Sequence, residues 1–271
     1  MRTIRTHIGL PHLLATTLLL VVATILLGVA TRAAGAGLAC DANWPLCDGG
    51  LLNLFPAGFP SFFEWIHRVV AMIAGVFIIG STLAAWWANV DRTIAWAVTI
   101  GLILTPIQVT LGRETVLSYD LTVLNLHFWT AIVIFVLFAV ATILSWSDRI
   151  GRSGLQLSLA GAAALIPVQI VFSPLVIDSY TTVMHTLQDA ITLSLLFFCL
   201  VAGIVGISMY AGRRALTLSL TPALALVVIF FGRESVMGYD PLIDLVYFVV
   251  SGFVFASLVV LTWDVRRAQT T

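Results

Sequence analysis

Eight apolar runs, each long enough to cross a bilayer, occupy most of this 271-residue chain. Read between charged or Pro/Gly-rich breaks, they fall at about 11–31, 62–88, 93–112, 122–146, 156–177, 182–209, 217–232 and 242–263. A membrane helix takes about 20 apolar residues, so eight take roughly 160 positions, which agrees with a hydrophobic content of 60%. Lipid offers backbone groups no hydrogen-bond partner, so such runs must be helical. An outer-membrane barrel would show weak alternation instead of unbroken runs. The fold class expected is an all-α integral membrane protein with eight transmembrane helices. Charged residues make up only 10% of the chain, against about 25% in soluble domains. A soluble enzyme, a nucleic-acid binder and a disordered scaffold are thereby excluded.

The charges alternate from one connection to the next. There is no Lys, so all 13 positive charges are Arg. One set of connections holds Arg2, Arg5, Arg92, Arg149, Arg152, Arg213, Arg214, Arg266 and Arg267. The other holds Arg32, Arg68, Arg113 and Arg233 together with Asp41, Asp48, Glu64, Glu114, Asp120, Asp178, Asp189, Glu234, Asp240 and Asp244. The positive-inside rule puts the first set, and both termini, in the cytoplasm. The first run is longer than the apolar part of a signal peptide and passes into Thr31-Arg32 without a small-residue cleavage site, so it reads as a span. No Arg/Ser-rich transit peptide precedes it, which points to a prokaryotic plasma membrane, the multi-pass cell membrane protein expected here.

A nine-residue segment occurs twice. Gly112-Arg113-Glu114-Thr115-Val116-Leu117-Ser118-Tyr119-Asp120 returns as Gly232-Arg233-Glu234-Ser235-Val236-Met237-Gly238-Tyr239-Asp240, with six of nine positions identical at an offset of 120. The match lies in polar residues, where apolar helices do not resemble one another by chance. Both copies are expected in the outer loops after the third and seventh spans. The chain therefore reads as two tandem four-helix bundles, 1–150 and 151–271, in the same orientation, a parallel repeat. The repeat is unequal, because only the first half has a long outer loop, at 33–60.

His67, His127 and His185 fall near the outer ends of spans two, four and six, roughly 6–9 Å below the outer surface by helical rise. One intramembrane His is ordinarily an interhelical hydrogen-bonding contact. Three at one depth on alternate helices point further, because ionisable groups in a span mark functional sites. Two neutral imidazoles facing each other across a bundle can clamp a heme iron along its axis, and His67 with His127 fits that within the first half. In the second half His185 is present, but the offset carries His127 to Tyr247. Tyr ligates ferric heme in some proteins; loss of the sixth ligand is the simpler reading. Glu64, one turn from His67 on the same face, reads either as the ion-pair partner of Arg68 or as a proton acceptor beside the macrocycle. Arg68 reads as that partner or as a contact for a propionate. Asp189, one turn beyond His185, reads as its hydrogen-bonding support or as a packing contact.

Cys40 and Cys47 flank a short segment in the long outer loop. Two cysteines closing a small loop in an oxidising compartment suggest a disulfide, as a staple or as a redox-active pair. Cys199 reads as a buried filler of span six.

Together these residues resemble the heme A synthase family. The marks are Cys40-x6-Cys47 with Trp44-Pro45-Leu46, Glu64-x-x-His67-Arg68 opening span two, Gln108-Val-Thr-Leu-Gly112 ending span three and Asn125-Leu126-His127 in span four. The resemblance covers essentially the whole chain. It implies an oxidoreductase of heme biosynthesis that converts the C8 methyl of heme O to the formyl of heme A by successive hydroxylation. It implies that His67 and His127 hold the substrate heme, that Glu64 assists, and that the second half binds a heme b through His185 and a partner. Tyr247 departs from that pattern, as does Thr186 after His185. The family context implies a heme O synthase upstream and a terminal cytochrome oxidase downstream, with the lipid bilayer as solvent. The sequence leaves open both a lone chain and a homo-oligomer. A non-catalytic heme-binding electron-transfer cytochrome b is the alternative, although its ligands would be expected near both membrane faces. A transporter would show interrupted helices at the midplane with charged residues, and Pro106 and Pro167 are not accompanied by such charges.

Overall fold

The computed structural model describes residues 9–40, 43–47, 54–118, 120–173, 175–177, 181–238 and 240–268. Arg2, Arg5, Asp41, Asp48, Tyr119, Asp178 and Tyr239, all read above, lie outside the described residues. Among the described residues the regular structure is entirely helical, and 8 helices are long and apolar enough to cross a membrane. The protein is a multi-pass all-α membrane protein.

The chain divides into two compact units, Met1–Trp146 and Ser147–Thr271. The first contains α1 (Leu10–Ala33), α2 (Phe59–Trp87), α3 (Arg92–Leu117) and α4 (Leu121–Trp146). Here α1 packs on α2, α2 on α3, α3 on α4, and α4 back on α1, a closed ring of antiparallel neighbours. The second contains α5 (Arg152–Val171), α6 (Thr182–Met209), the short α7 (Gly212–Ser219), α8 (Thr221–Gly238) and α9 (Pro241–Arg267). In it α5 packs on α6 and α9, α8 on α9, and α6 on α7 and α8.

Helix starts follow from capping chemistry. Asp120 accepts from the main-chain N–H of Thr122 at 2.7 Å and of Val123 at 3.0 Å, satisfying two of the donors that a helix start leaves open. Asp91 does the same for α3 through Thr93 at 2.7 Å, and Asp240 for α9 through Leu242 at 2.9 Å. Gly35, at φ +66°, turns the chain out of α1. In the bundle interior, hydroxyls join neighbouring helices where lipid gives no alternative. Thr17 on α1 and Ser81 on α2 are 2.8 Å apart, and Thr82 donates to the Val98 carbonyl of α3 at 3.2 Å.

The structure departs from the hydropathy reading at three places. The repeated segment does not lie in loops: Gly112–Leu117 continues α3 and Gly232–Gly238 ends α8. Hydropathy stops at the charges, whereas the backbone continues because those groups are satisfied locally. Arg113 pairs with Glu114 at 2.6 Å, and the hydroxyls of Thr115 and Ser118 donate to the carbonyls of Gly112 and Glu114. The seventh span is broken at Leu220, before Pro222. Pro222 has no N–H to give the Leu218 carbonyl, and the Thr221 hydroxyl donates to it at 2.8 Å instead. The fifth span ends at Val171, where the Ser173 hydroxyl takes the Ile170 carbonyl at 2.7 Å.

Candidate functional site

In the first unit α1 and α2 fix His67. Its Nδ1 is 3.0 Å from the main-chain carbonyl of Thr24. A carbonyl only accepts, so Nδ1 carries the proton and Nε2 keeps its lone pair. One turn along α1 is Gly28, where an added Cβ would lie 3.0 Å from His67 Cε1. Thr24 holds the ring by hydrogen bond, and Gly28 admits it by having no side chain.

His127 on α4 sits in an equivalent seat on α3. Gln108 Nε2 is 3.4 Å from His127 Nε2, and an added Cβ on Gly112 would lie 3.0 Å from His127 Cε1. An amide nitrogen only donates, so Nε2 of this ring is the acceptor and its lone pair faces Gln108. Each imidazole thus rests on a pair four residues apart, Thr24 with Gly28 and Gln108 with Gly112. The Oε1 of Gln108 is buried without a hydrogen-bond partner among the described residues, a polar atom that a bound molecule would satisfy. Two neutral imidazoles over glycine floors, the first oriented through its Nδ1 and the second addressed at Nε2 by an amide, are side chains that can hold an iron porphyrin. Among the described residues no group of three His, Cys, Asp or Glu gathers to form a cage of side-chain ligands.

Beside His67 the buried carboxylate of Glu64 accepts from Arg68 Nε at 2.9 Å. Arg68 Nη1 donates to the carbonyls of Asn43, Pro45 and Leu46 at 2.8, 3.3 and 2.9 Å. Those carbonyls belong to the segment closed by the disulfide between Cys40 and Cys47, whose Cα atoms are 4.6 Å apart. Ser61 on α2 adds a second fastening, donating to Ala39 at 2.9 Å. The cysteine loop is therefore bolted to the mouth of α2 by the residue that also holds Glu64. Arg68 Nη2 is buried without a hydrogen-bond partner among the described residues.

The second unit is built differently. His185 is half-buried on the first turn of α6, with Asp189 one turn further. Tyr247 on α9 is fully buried, 0% exposed. Its ring rests on Gly232 of α8, where an added Cβ would lie 3.1 Å from Tyr247 Cε2. Gly232 and Tyr247 thus repeat the Gly112–His127 contact. The Tyr247 hydroxyl accepts from Gln169 Nε2 of α5 at 2.9 Å, and Gln188 and Ser251 also face it. The second seat does not present a pair of imidazoles.

Sequence reasoning missed Thr24, Gly28 and Gln169. Thr24-x-x-x-Gly28 shares its polar-to-glycine spacing with Gln108-x-x-x-Gly112, a signal visible once the two seats are compared. Nothing in the sequence marks Gln169, because its partner is a residue type absent from the first half's seat.

The family model described as cytochrome oxidase assembly protein (COX15-CtaA) matches residues 11–192. Among curated proteins, the chain is 34% identical over 94 residues to a protoheme IX farnesyltransferase of Halobacterium salinarum, covering 35% of this chain and 21% of the relative. It is 29% identical over 122 residues to a heme A synthase of Bacillus licheniformis, covering 43% of this chain and 39% of that one. A heme A synthase of Alkalihalophilus pseudofirmus is 30% identical over 130 residues, covering 47% and 43%. The matches thus span about a fifth to two fifths of these relatives' lengths. No solved structure matches.

Proposed function

We propose, since this chain belongs to the cytochrome oxidase assembly protein family (COX15-CtaA), that it is a heme A synthase, an oxidoreductase that takes heme O as substrate and releases heme A. The observation that carries the reading is the matched pair of seats. His67 and His127 each have one nitrogen fixed or addressed by a neighbouring helix and a glycine beneath the ring. Glu64 stands one turn from His67 in a buried ion pair. A pair of imidazoles alone would equally serve an electron carrier; a carboxylate buried against the mouth of the same seat is what a methyl oxidation needs and a carrier does not.

In this reading His67 and His127 bind and orient heme O along the iron axis, with the Thr24 carbonyl fixing one tautomer. The unpartnered Arg68 Nη2 takes a propionate. The conversion is R–CH3 + H2O → R–CHO + 4 H+ + 4 e−, with the electrons passing to an external acceptor. Positive charge develops at the methyl carbon as electrons leave, and the Glu64 carboxylate stabilises it and accepts a proton. Arg68 holds that carboxylate in place through its Nε.

The charge asymmetry supports both termini on the cytoplasmic side of the membrane and the histidine seats toward the outside. Relatives named for heme A synthesis and for protoheme IX farnesyl transfer both share sequence with this chain, which supports a supply of heme O from such a transferase and use of the product by a terminal oxidase. The test is to co-express the chain with a heme O synthase in a host that makes no heme A and to chromatograph the extracted hemes. Heme A or its hydroxylated precursor is expected with the intact chain. Heme O and heme B alone from a red protein would make the chain a carrier instead.

A further inference from the structure

We propose that the second unit binds no heme, that Tyr247 closes the seat in which the first unit holds one, and that the protein carries a single heme per chain. This rests on the reading of the first unit given above. The equivalence of the two seats is geometric: the ring of His127 lies on Gly112 and that of Tyr247 on Gly232, with added Cβ atoms at 3.0 and 3.1 Å.

From that shared seat a phenol reaches further across the bundle than an imidazole. Its oxygen meets groups from the helices around it: Gln169 of α5 at 2.9 Å, with Gln188 of α6 and Ser251 of α9 also facing it. The surroundings have changed in step with the ring. At the offset of 118 that relates His67 to His185, Gln188 replaces Val70; at the offset of 120 that relates His127 to Tyr247, Ser251 replaces Ala131. Apolar positions in the first unit have become polar ones where they face the hydroxyl. Gln188 lies one turn from His185 on the same face of α6, and its side chain faces the Tyr247 hydroxyl.

An iron ligand needs an open lobe and room for a flat macrocycle beside it. His67 and His127 are half-buried, whereas Tyr247 is 0% exposed and its oxygen is engaged by Gln169. The positions that correspond to Glu64 and Arg68 are Thr182 and Thr186, so the carboxylate and its guanidinium are missing as well. The second unit is a polar-latched structural half rather than a second cofactor site.

The test is the heme content of the purified full chain, isolated from a host that supplies both heme O and heme B, measured as pyridine hemochromogen against protein by amino-acid analysis. The expected ratio is one. His67→Ala and His127→Ala should lower it severalfold, and His185→Ala should leave it at one. His185→Gln replaces that variant if it fails to fold. A ratio of two, or a ratio that falls when His185 is replaced, overturns this inference and leaves the reading of the first unit standing. An intact chain without heme overturns that reading, and this inference with it.

Discussion

The Nδ1 of His67 donates to the main-chain carbonyl of Thr24 at 3.0 Å. The bond sets the tautomer, aims Nε2 at the interior of the bundle, and fixes the ring over Gly28. A ring held in this way cannot move aside without losing its hydrogen bond, so the glycine beneath it is a sensitive position.

Gly28→Ala brings a Cβ to 3.0 Å from His67 Cε1. Overpacking of this kind costs about 1–3 kcal/mol, while replacing glycine in a helix returns at most about 1 kcal/mol. The displaced ring therefore decides the outcome. Heme loading, read as Soret absorbance per protein, should fall severalfold, and more for Gly28→Val, while the helix content is unchanged. Unaltered loading in both variants would show that the seat is not as tight as the contact implies.

Arg68→Ala removes the partner of a carboxylate whose side chain is only 8% exposed. Removing one member of such a buried pair costs about 3–5 kcal/mol, and the arginine's 15% exposure puts this case at the lower end, about 3 kcal/mol. The double variant Arg68→Ala with Glu64→Gln should recover part of the loss, because it no longer strands a charge. Thermal unfolding of the four proteins of that cycle in detergent measures the coupling; additive losses would mean that the pair is not energetically joined.

Much of this was readable in advance. Eight spans, the repeat and the correspondence of Tyr247 with His127 all follow from residue types at fixed spacings. Of the two readings of Glu64, the structure forms the ion pair with Arg68 without removing the other, and Arg68 Nη2 is buried with no hydrogen-bond partner among the described residues. Two kinds of information were out of reach. Main-chain acceptors carry no residue signature, so neither the Thr24 carbonyl under His67 nor the carbonyls of Asn43, Pro45 and Leu46 around Arg68 were visible. Hydropathy also ends a helix at its charges, which is why Gly112–Leu117 and Gly232–Gly238 were assigned to loops.

The disulfide between Cys40 and Cys47 closes a loop with a sequence separation of 7. Closing a loop of that size restricts the unfolded chain by about 2.5 kcal/mol. Cys40→Ser with Cys47→Ser should lower stability by about that amount and release the carbonyls that hold Arg68. Limited proteolysis should then cut within 40–47 in the variant and spare the oxidised protein. Equal cleavage of both would show that Arg68 and Ser61 hold the loop without the bond.

Asp120 caps the helix that carries His127. Hydrogen bonds from the Val123 and Thr122 N–H groups hold its carboxyl below the ordinary value of 3.8. A depressed carboxylate stabilises the fold above its unfolded pKa, and that contribution is lost as the pH falls through the folded value. Hydrogen exchange in the first turn of α4 should therefore accelerate only at acid pH. In Asp120→Ala it should already be fast at neutral pH, and Asp120→Asn should resemble the parent. An acid response that survives Asp120→Asn would assign the effect to another group.

Glu64→Gln keeps the volume and a hydrogen-bonding side chain but not the charge. With heme loading retained, heme A formation should fall at least tenfold, and heme O or a singly hydroxylated product should accumulate in the extract. Full activity at unchanged loading would remove Glu64 from the chemistry and leave it a structural partner of Arg68.

The central claim, that His67 and His127 jointly hold the substrate heme, is tested most directly by electron paramagnetic resonance of the oxidised full chain purified from cells that make heme O. The intact protein should show a low-spin signal of two axial imidazoles. His67→Ala and His127→Ala should each convert it to a high-spin signal or abolish it, at matched protein. A low-spin signal that survives both replacements would place the heme on other residues and contradict the account.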